Sequence, residues 1–133
     1  MLSSLSGMRI LLVEDEYILA MDIVREIEGL GGEVLGPARS VDHAFALLHL
    51  GPQPHAAILD IRLMDEKVYP VADALRAMNC LFIFASNENP WSIPDAYRDV
   101  RHFTKPIDMA LAVEALLERV GDGSSDQTGT AAL

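Results

Sequence analysis

The chain reads as an α/β protein whose parallel sheet carries helices on both faces. Two observations predict this: apolar strand-like runs alternate with helical patterns five times, and the first run is continuously apolar, as in strands buried from both sides. A third is size, since 133 residues, half of them apolar, fit one domain with its own core.

The first strand is expected over Arg9 to Val13, followed by a helix from Tyr17 to Leu30 with Ile18, Met21, Val24, Ile27 and Leu30 at helical spacing. Gly31 and Gly32 end that helix. A short strand around Glu33 to Leu35 comes next. Ser40 then caps a helix with Val41, Ala44, Leu47 and Leu48 on one face, and Gly51, Pro52 and Pro54 break it. The third strand, Ala56 to Leu59, delivers Asp60, and a polar loop leads to a helix near Val71 to Met78. Leu81 to Ala85 forms the fourth strand. Pro90 and Pro94 leave room only for a shortened fourth helix around Asp95 to Arg98. Val100 to Thr104 is the fifth strand. Pro106 is read as the first turn of a last helix whose apolar stripe is Leu111, Ala115, Leu116 and Val120. Residues 1–7 and the Gly-, Ser- and Thr-rich 121–133 are expected to be disordered, which leaves 8–120 as the single domain.

Composition narrows the function. Cys80 is the only cysteine and no Cys and His cluster has zinc spacing, so a cytoplasmic location is expected and redox or zinc chemistry is disfavoured. The apolar run Ile10 to Val13 is too short to span a membrane and no basic region precedes it. A formal charge of −10 repels nucleic acid and anionic lipid, so neither is an expected partner. Gly29, Gly31, Gly32 and Gly36 follow a helix and not the first strand, which rejects a dinucleotide loop.

The chemistry is written at the strand ends. Glu14 and Asp15 follow the first strand, Asp60 the third, Ser86 the fourth and Lys105 the fifth. In a parallel sheet these positions share one rim, where ligands bind. Two carboxylates held 4 Å apart repel by about 4 kcal/mol at an effective dielectric of 20. A hard cation offsets such repulsion, and an all-oxygen donor set suits Mg²⁺. Lys105 adds a fixed positive charge and Ser86 a hydroxyl, both suited to phosphoryl oxygens, which makes Asp60 the candidate nucleophile.

Taken singly, these residues have plainer readings. Glu14 and Asp15 suit a helix start, Asp60 a turn, Ser86 a turn cap and Lys105 a solvated surface. Only their joint placement favours a metal and phosphoryl site. His102 is read equally as a packing histidine or a switch. Trp91 and Ile93 are read as filling the space left by the short helix.

The segments Ile10-Leu11-Leu12-Val13-Glu14-Asp15-Glu16, Ala57-Ile58-Leu59-Asp60-Ile61-Arg62-Leu63, Phe84-Ala85-Ser86 and Thr104-Lys105-Pro106 together resemble the response-regulator receiver domain of two-component signalling. That resemblance covers roughly residues 8–120. It implies a flavodoxin-like, doubly wound five-stranded sheet of order 2-1-3-4-5. It also implies that Glu14, Asp15, Asp60 and the Arg62 backbone carbonyl hold Mg²⁺, and that Ser86 and Lys105 contact a phosphoryl group on Asp60. The implied donor is a histidine kinase or histidine phosphotransfer protein, and the implied readout a conformational shift sensed by an unnamed downstream protein. The chain departs from the family pattern in three places: the loop after Asp60 lacks Pro and Gly, the interval from Ser86 to Lys105 is short, and His102 stands where Tyr or Phe is common.

On this reading the chain is a stand-alone signalling phosphoacceptor and not an enzyme with turnover, with a homodimer left open. A pseudo-receiver, binding partners without phosphorylation, is the alternative. A Mg²⁺-dependent phosphatase or nicking enzyme needs a second acid two residues after the first, where this chain has Arg62.

Overall fold

A computed structural model describes residues 4–117 of the chain. In order, the elements are β1 (Arg9–Val13), α1 (Tyr17–Gly29), β2 (Glu33–Ala38), α2 (Val41–Leu50), β3 (Ala56–Leu59), β4 (Arg62–Leu63), β5 (Glu66–Lys67), α3 (Tyr69–Ala77), β6 (Leu81–Ser86), two 3-10 turns (Pro90–Ser92 and Asp95–Tyr97) and β7 (His102–Thr104). Residues 109–117 form a further helix, α4. Five strands make the main sheet in the order β2-β1-β3-β6-β7, and every neighbouring pair in it is parallel. Counting only these five, the order is the expected 2-1-3-4-5, and the flavodoxin-like fold is the one that the sequence predicts.

Alternation along each strand sends side chains to two separate cores. Leu11, Val13, Ala57, Leu59, Phe82 and Phe84 pack with α2 and α3 on one face, whereas Ile10, Leu12, Ile58, Ile83 and Ala85 pack with α1 and α4 on the other. β3 is buried along its whole length, as expected of a central strand covered twice. Among the described residues, no helix is long and apolar enough to cross a membrane.

Several sequence expectations are corrected. The N-terminal disorder expected for 1–7 does not extend over 4–7: Leu5 is fully buried beneath α1 and its N–H donates to Leu30 O at 2.8 Å. Ile18 faces solvent, and the buried stripe of α1 is Ala20, Ile23, Val24 and Ile27. The loop after Asp60 closes into a two-stranded hairpin, β4 with β5, which turns at Met64 in the left-handed region (φ 56°). α3 begins at Tyr69, with Pro70 in the first turn where its missing N–H costs nothing. Pro106 lies before α4 and not in it. That helix is capped by Asp108, whose Oδ1 accepts from Ala110 N at 3.0 Å. The shortened fourth helix expected around Asp95 to Arg98 forms as the 3-10 turn Asp95–Tyr97, preceded by a second at Pro90–Ser92; Ile93 is buried there, but Trp91 is 82% exposed and fills no space. The Ser40 cap forms as expected, accepting from His43 N at 3.0 Å. Val120 and the expected tail at 121–133 lie outside the described residues.

Gly36 is held at φ +108°, and a Cβ there would sit 2.8 Å from Leu12 O and 2.6 Å from Ala38 N, backbone atoms that cannot swing aside. Gly36→Ala should therefore cost about 2 kcal/mol or more, read as a lower urea midpoint with an unchanged m-value.

Candidate metal and phosphoryl site

Parallel pairing puts the carboxyl ends of β1, β3, β6 and β7 on one rim, so each polar residue that follows a strand arrives at the same place. Glu14 and Asp15 leave β1, and Asp60 leaves β3, tied back by its N–H to Val13 O at 2.9 Å. One carboxylate oxygen from each of Glu14, Asp15 and Asp60 lies within 4.8 Å of the others. Glu14 is 2% exposed and Asp60 7%, while Asp15 is half-buried.

Lys105, following β7, bridges the two buried acids. Its Nζ is 2.9 Å from Glu14 Oε1 and 3.1 Å from Asp60 Oδ2. Burial works to lower the lysine pKa, but the hydrogen bond to Glu14 and the charges of Asp60 and Glu14 outweigh it, and the net shift is upward. One ammonium does not balance three carboxylates. Burial first, and the charge of Glu14 second, push Asp60 up to about 7 against the opposing pull of Lys105. The cup is thus short of positive charge and offers only oxygen donors, and those two properties fit a hard divalent cation such as Mg²⁺.

Secondary contacts hold the donors in place. Asp15 Oδ2 accepts from Met64 N at 2.8 Å, which fastens the β4-β5 turn to the acidic cup, and Glu14 Oε2 accepts from Glu16 N at 3.1 Å. Arg62 lies in β4, two residues past Asp60, paired with Lys67 of β5.

Ser86 ends β6 and is 1% exposed. Its Oγ lies 2.9 Å from His102 Nε2 and accepts from Glu88 N at 3.1 Å. The histidine that the sequence left between packing and switching is therefore in direct contact with the serine expected to meet a phosphoryl group. The backbone places Ser86 on the same rim as Asp60, and Lys105 N donates to Ser86 O at 3.3 Å.

The sequence did not single out Lys67. Its Nζ is 2.7 Å from Glu88 Oε2, and Arg62 reaches the same oxygen at 3.6 Å. The Lys67 hydrogen bond leads the causes that hold the Glu88 carboxyl below its usual range, and the Arg62 charge adds to it. These pairs join the β4-β5 hairpin to the loop after β6. A lysine in a polar loop has no sequence signal that separates it from a solvated cation.

No protein-family model matches the chain. The chain is 39% identical over 56 residues to the phyllosphere-induced regulator PhyR of Methylorubrum extorquens, a stretch covering 42% of this chain and 21% of that protein. The crystal structure of the response regulator PhyR from Brucella abortus superposes with a TM-score of 0.76 at 29% identity, covering 96% of this chain and 54% of that one. The chain thus spans about half the length of that PhyR. SdrG from Sphingomonas melonis Fr1 matches at 36% identity over 88% of this chain and 99% of its own, with a TM-score of 0.72. The BeF3-activated conformation of SdrG matches at 33% identity over 90% of this chain and 99% of its own, with a TM-score of 0.71.

Because folding raises the Asp60 pKa from 3.8 to about 7, an unfolded chain ionises this group at lower pH than the folded one. In the metal-free protein, Asp60 therefore contributes stability that is present below about pH 4 and is lost as pH rises through about 7. Asp60→Asn should then stabilise the protein in EDTA above pH 7, on the order of 1 kcal/mol or more, and change little near pH 4. Urea midpoints of the two proteins at both pH values check this.

Proposed function

Because the chain belongs to the response-regulator receiver family, we propose that it is a phosphoacceptor signalling protein that takes a phosphoryl group onto Asp60 from a phosphohistidine donor protein. The observation that carries this reading is the buried cup of Glu14, Asp15 and Asp60 with the Lys105 ammonium between two of its members. Two further facts support it. Nearly all of SdrG is matched, and that protein has a BeF3-activated conformation. Beryllofluoride carries the shape and charge of a phosphoryl group.

In the proposed reaction an Asp60 carboxylate oxygen attacks phosphorus in line, the O–P bond forms as the N–P bond of phosphohistidine breaks, and the leaving imidazole takes a proton from solvent. Glu14, Asp15, Asp60 and the Arg62 backbone carbonyl would hold Mg²⁺, which when bound supplies the positive charge that the cup lacks. Lys105 is already 3.1 Å from Asp60 and meets the developing charge on the phosphoryl oxygens. The Ser86 hydroxyl is the second donor from the rim. Phosphorylation adds a charge of roughly −1.5 to −2 by the phosphoserine analogy. It would draw Lys105 and Ser86 towards Asp60 and shift the loop after β6 and strand β7, and a downstream protein would sense that change.

The complete acidic set favours this reading over a pseudo-receiver that only binds partners. Incubation with Mg²⁺ and acetyl phosphate, followed by intact mass, separates them: the parent should gain one phosphoryl mass only with Mg²⁺. Asp60→Asn should gain none. A parent that stays unmodified with Mg²⁺ present leaves the binding-module reading standing.

Glu88, gripped by Lys67 and Arg62, ties together the two loops that flank Asp60 and Ser86. In the phosphorylated protein this tie would restrict water at phosphorus. Glu88→Ala should shorten the acyl-phosphate lifetime several-fold in a chase experiment, and equal lifetimes in the two proteins would remove this role.

A further inference from the structure

The Ser86 hydroxyl has one proton and two polar neighbours. Glu88 N–H donates to its oxygen at 3.1 Å, and His102 Nε2 lies 2.9 Å away. The same ring nitrogen is 3.3 Å from Ser86 O. Ser86 is 1% exposed, so the ring decides how its hydroxyl is satisfied. A neutral ring protonated on Nδ1 accepts the serine proton at Nε2, and the hydroxyl then has both a donor and an acceptor. An imidazolium accepts nothing. Its Nε2–H must donate to Ser86 Oγ, with Ser86 O as a second acceptor, and the serine proton is turned off the ring.

β3 and β6 pair in register, with Leu59 opposite Phe84, so Ser86 stands on the rim beside Asp60. A proton turned off the ring there meets an oxyanion carried by Asp60. We propose that His102 is a positioning residue that directs the Ser86 hydroxyl proton, holding it on the ring when neutral and releasing it towards a phosphoryl group on Asp60 when protonated. This rests on the phosphoacceptor reading of Asp60.

The charged groups around the pair are accounted for. Glu88 is held by Lys67 and Arg62, Arg101 lies over the Phe103 ring at 5.2 Å, Lys105 is engaged by Glu14 and Asp60, and Asp108 caps α4. Asp99 is paired with Arg76, and Asp95 with Arg98. Within the Ser86–His102 pair the imidazole is the member that can carry a charge, while Asp60, raised to about 7, is the titrating group on the rim beside it.

The test uses beryllofluoride with Mg²⁺ as the phosphoryl stand-in, on the parent, His102→Phe, His102→Gln and Ser86→Ala. Measured against Ser86→Ala, so that the ionisation of Asp60 common to all four proteins cancels, the parent's affinity for beryllofluoride should weaken by about fivefold between about pH 5 and 8, the equivalent of one net hydrogen bond. His102→Phe should follow the profile of Ser86→Ala, without the extra weakening seen in the parent. His102→Gln, which keeps an amide donor for Ser86 Oγ, should match the parent at low pH and bind about fivefold more tightly than the parent at high pH. On the parent alone, ¹⁵N shifts of the neutral His102 ring, recorded at high pH, should show a proton on Nδ1 and a bare Nε2. A ring protonated on Nε2 at high pH, or a parent pH profile shared by His102→Phe, overturns the proposal. Beryllofluoride that fails to bind at any pH counts against Asp60 as phosphoacceptor, while the ring shifts still decide the role of His102.

Discussion

Three carboxylates held within 4.8 Å of one another, with a single ammonium wedged between two of them, set the terms for everything around them. Left alone, such a cluster would push its members apart, so the sheet must hold the acids together. It does so through the most rigid part of the molecule. β1 and β3 are paired centrally and buried on both faces, and Asp60 N–H is bonded across to Val13 O, so neither acid-bearing strand end can retreat without disrupting two cores. Burial first and the charge of Glu14 second raise the Asp60 pKa, against the pull of Lys105.

Around that rigid floor the walls are built differently. The β4-β5 hairpin, the 3-10 turns and β7 are anchored by Leu63, Ile93 and the ladder to β6, and polar contacts join them across the rim: Met64 N on Asp15, Lys67 and Arg62 on Glu88, Ser86 on His102. On the proposed function, a charge added at Asp60 would act first on these polar contacts, at the edge strand and the loop before it. The shortened fourth helix belongs to the same design. Pro90 and Pro94 shorten that connection to turns, and Trp91 is left exposed beside the loop that carries Glu88.

Much of this was legible in the amino-acid sequence because parallel strands obey a simple rule: a continuous apolar run is a strand covered twice, and whatever polar residue follows it lands on one common rim. That rule assigned Glu14, Asp15, Asp60, Ser86 and Lys105 to a single site without coordinates, and periodicity and capping placed α1 and α2. The last helix starts later than Pro106 suggests, because Asp108 Oδ1 caps it by accepting from Ala110 N. Leu5, isolated among serines, looked like part of a tail, and the sequence contains no sign that it plugs the space below α1.

What only the tertiary structure decided is which side chains touch across the rim. Asp15 and Met64 are 49 residues apart, Lys67 and Glu88 are 21 apart, and Ser86 and His102 are 16 apart. Local pattern determines which way a residue points relative to its own strand or helix, because that depends on backbone periodicity alone. Whether two such residues come within hydrogen-bonding distance depends on strand register and loop path, which are set by packing of the whole chain, and so the acids of the cup and Lys105 were visible beforehand while the contacts of Met64 and Lys67 were not.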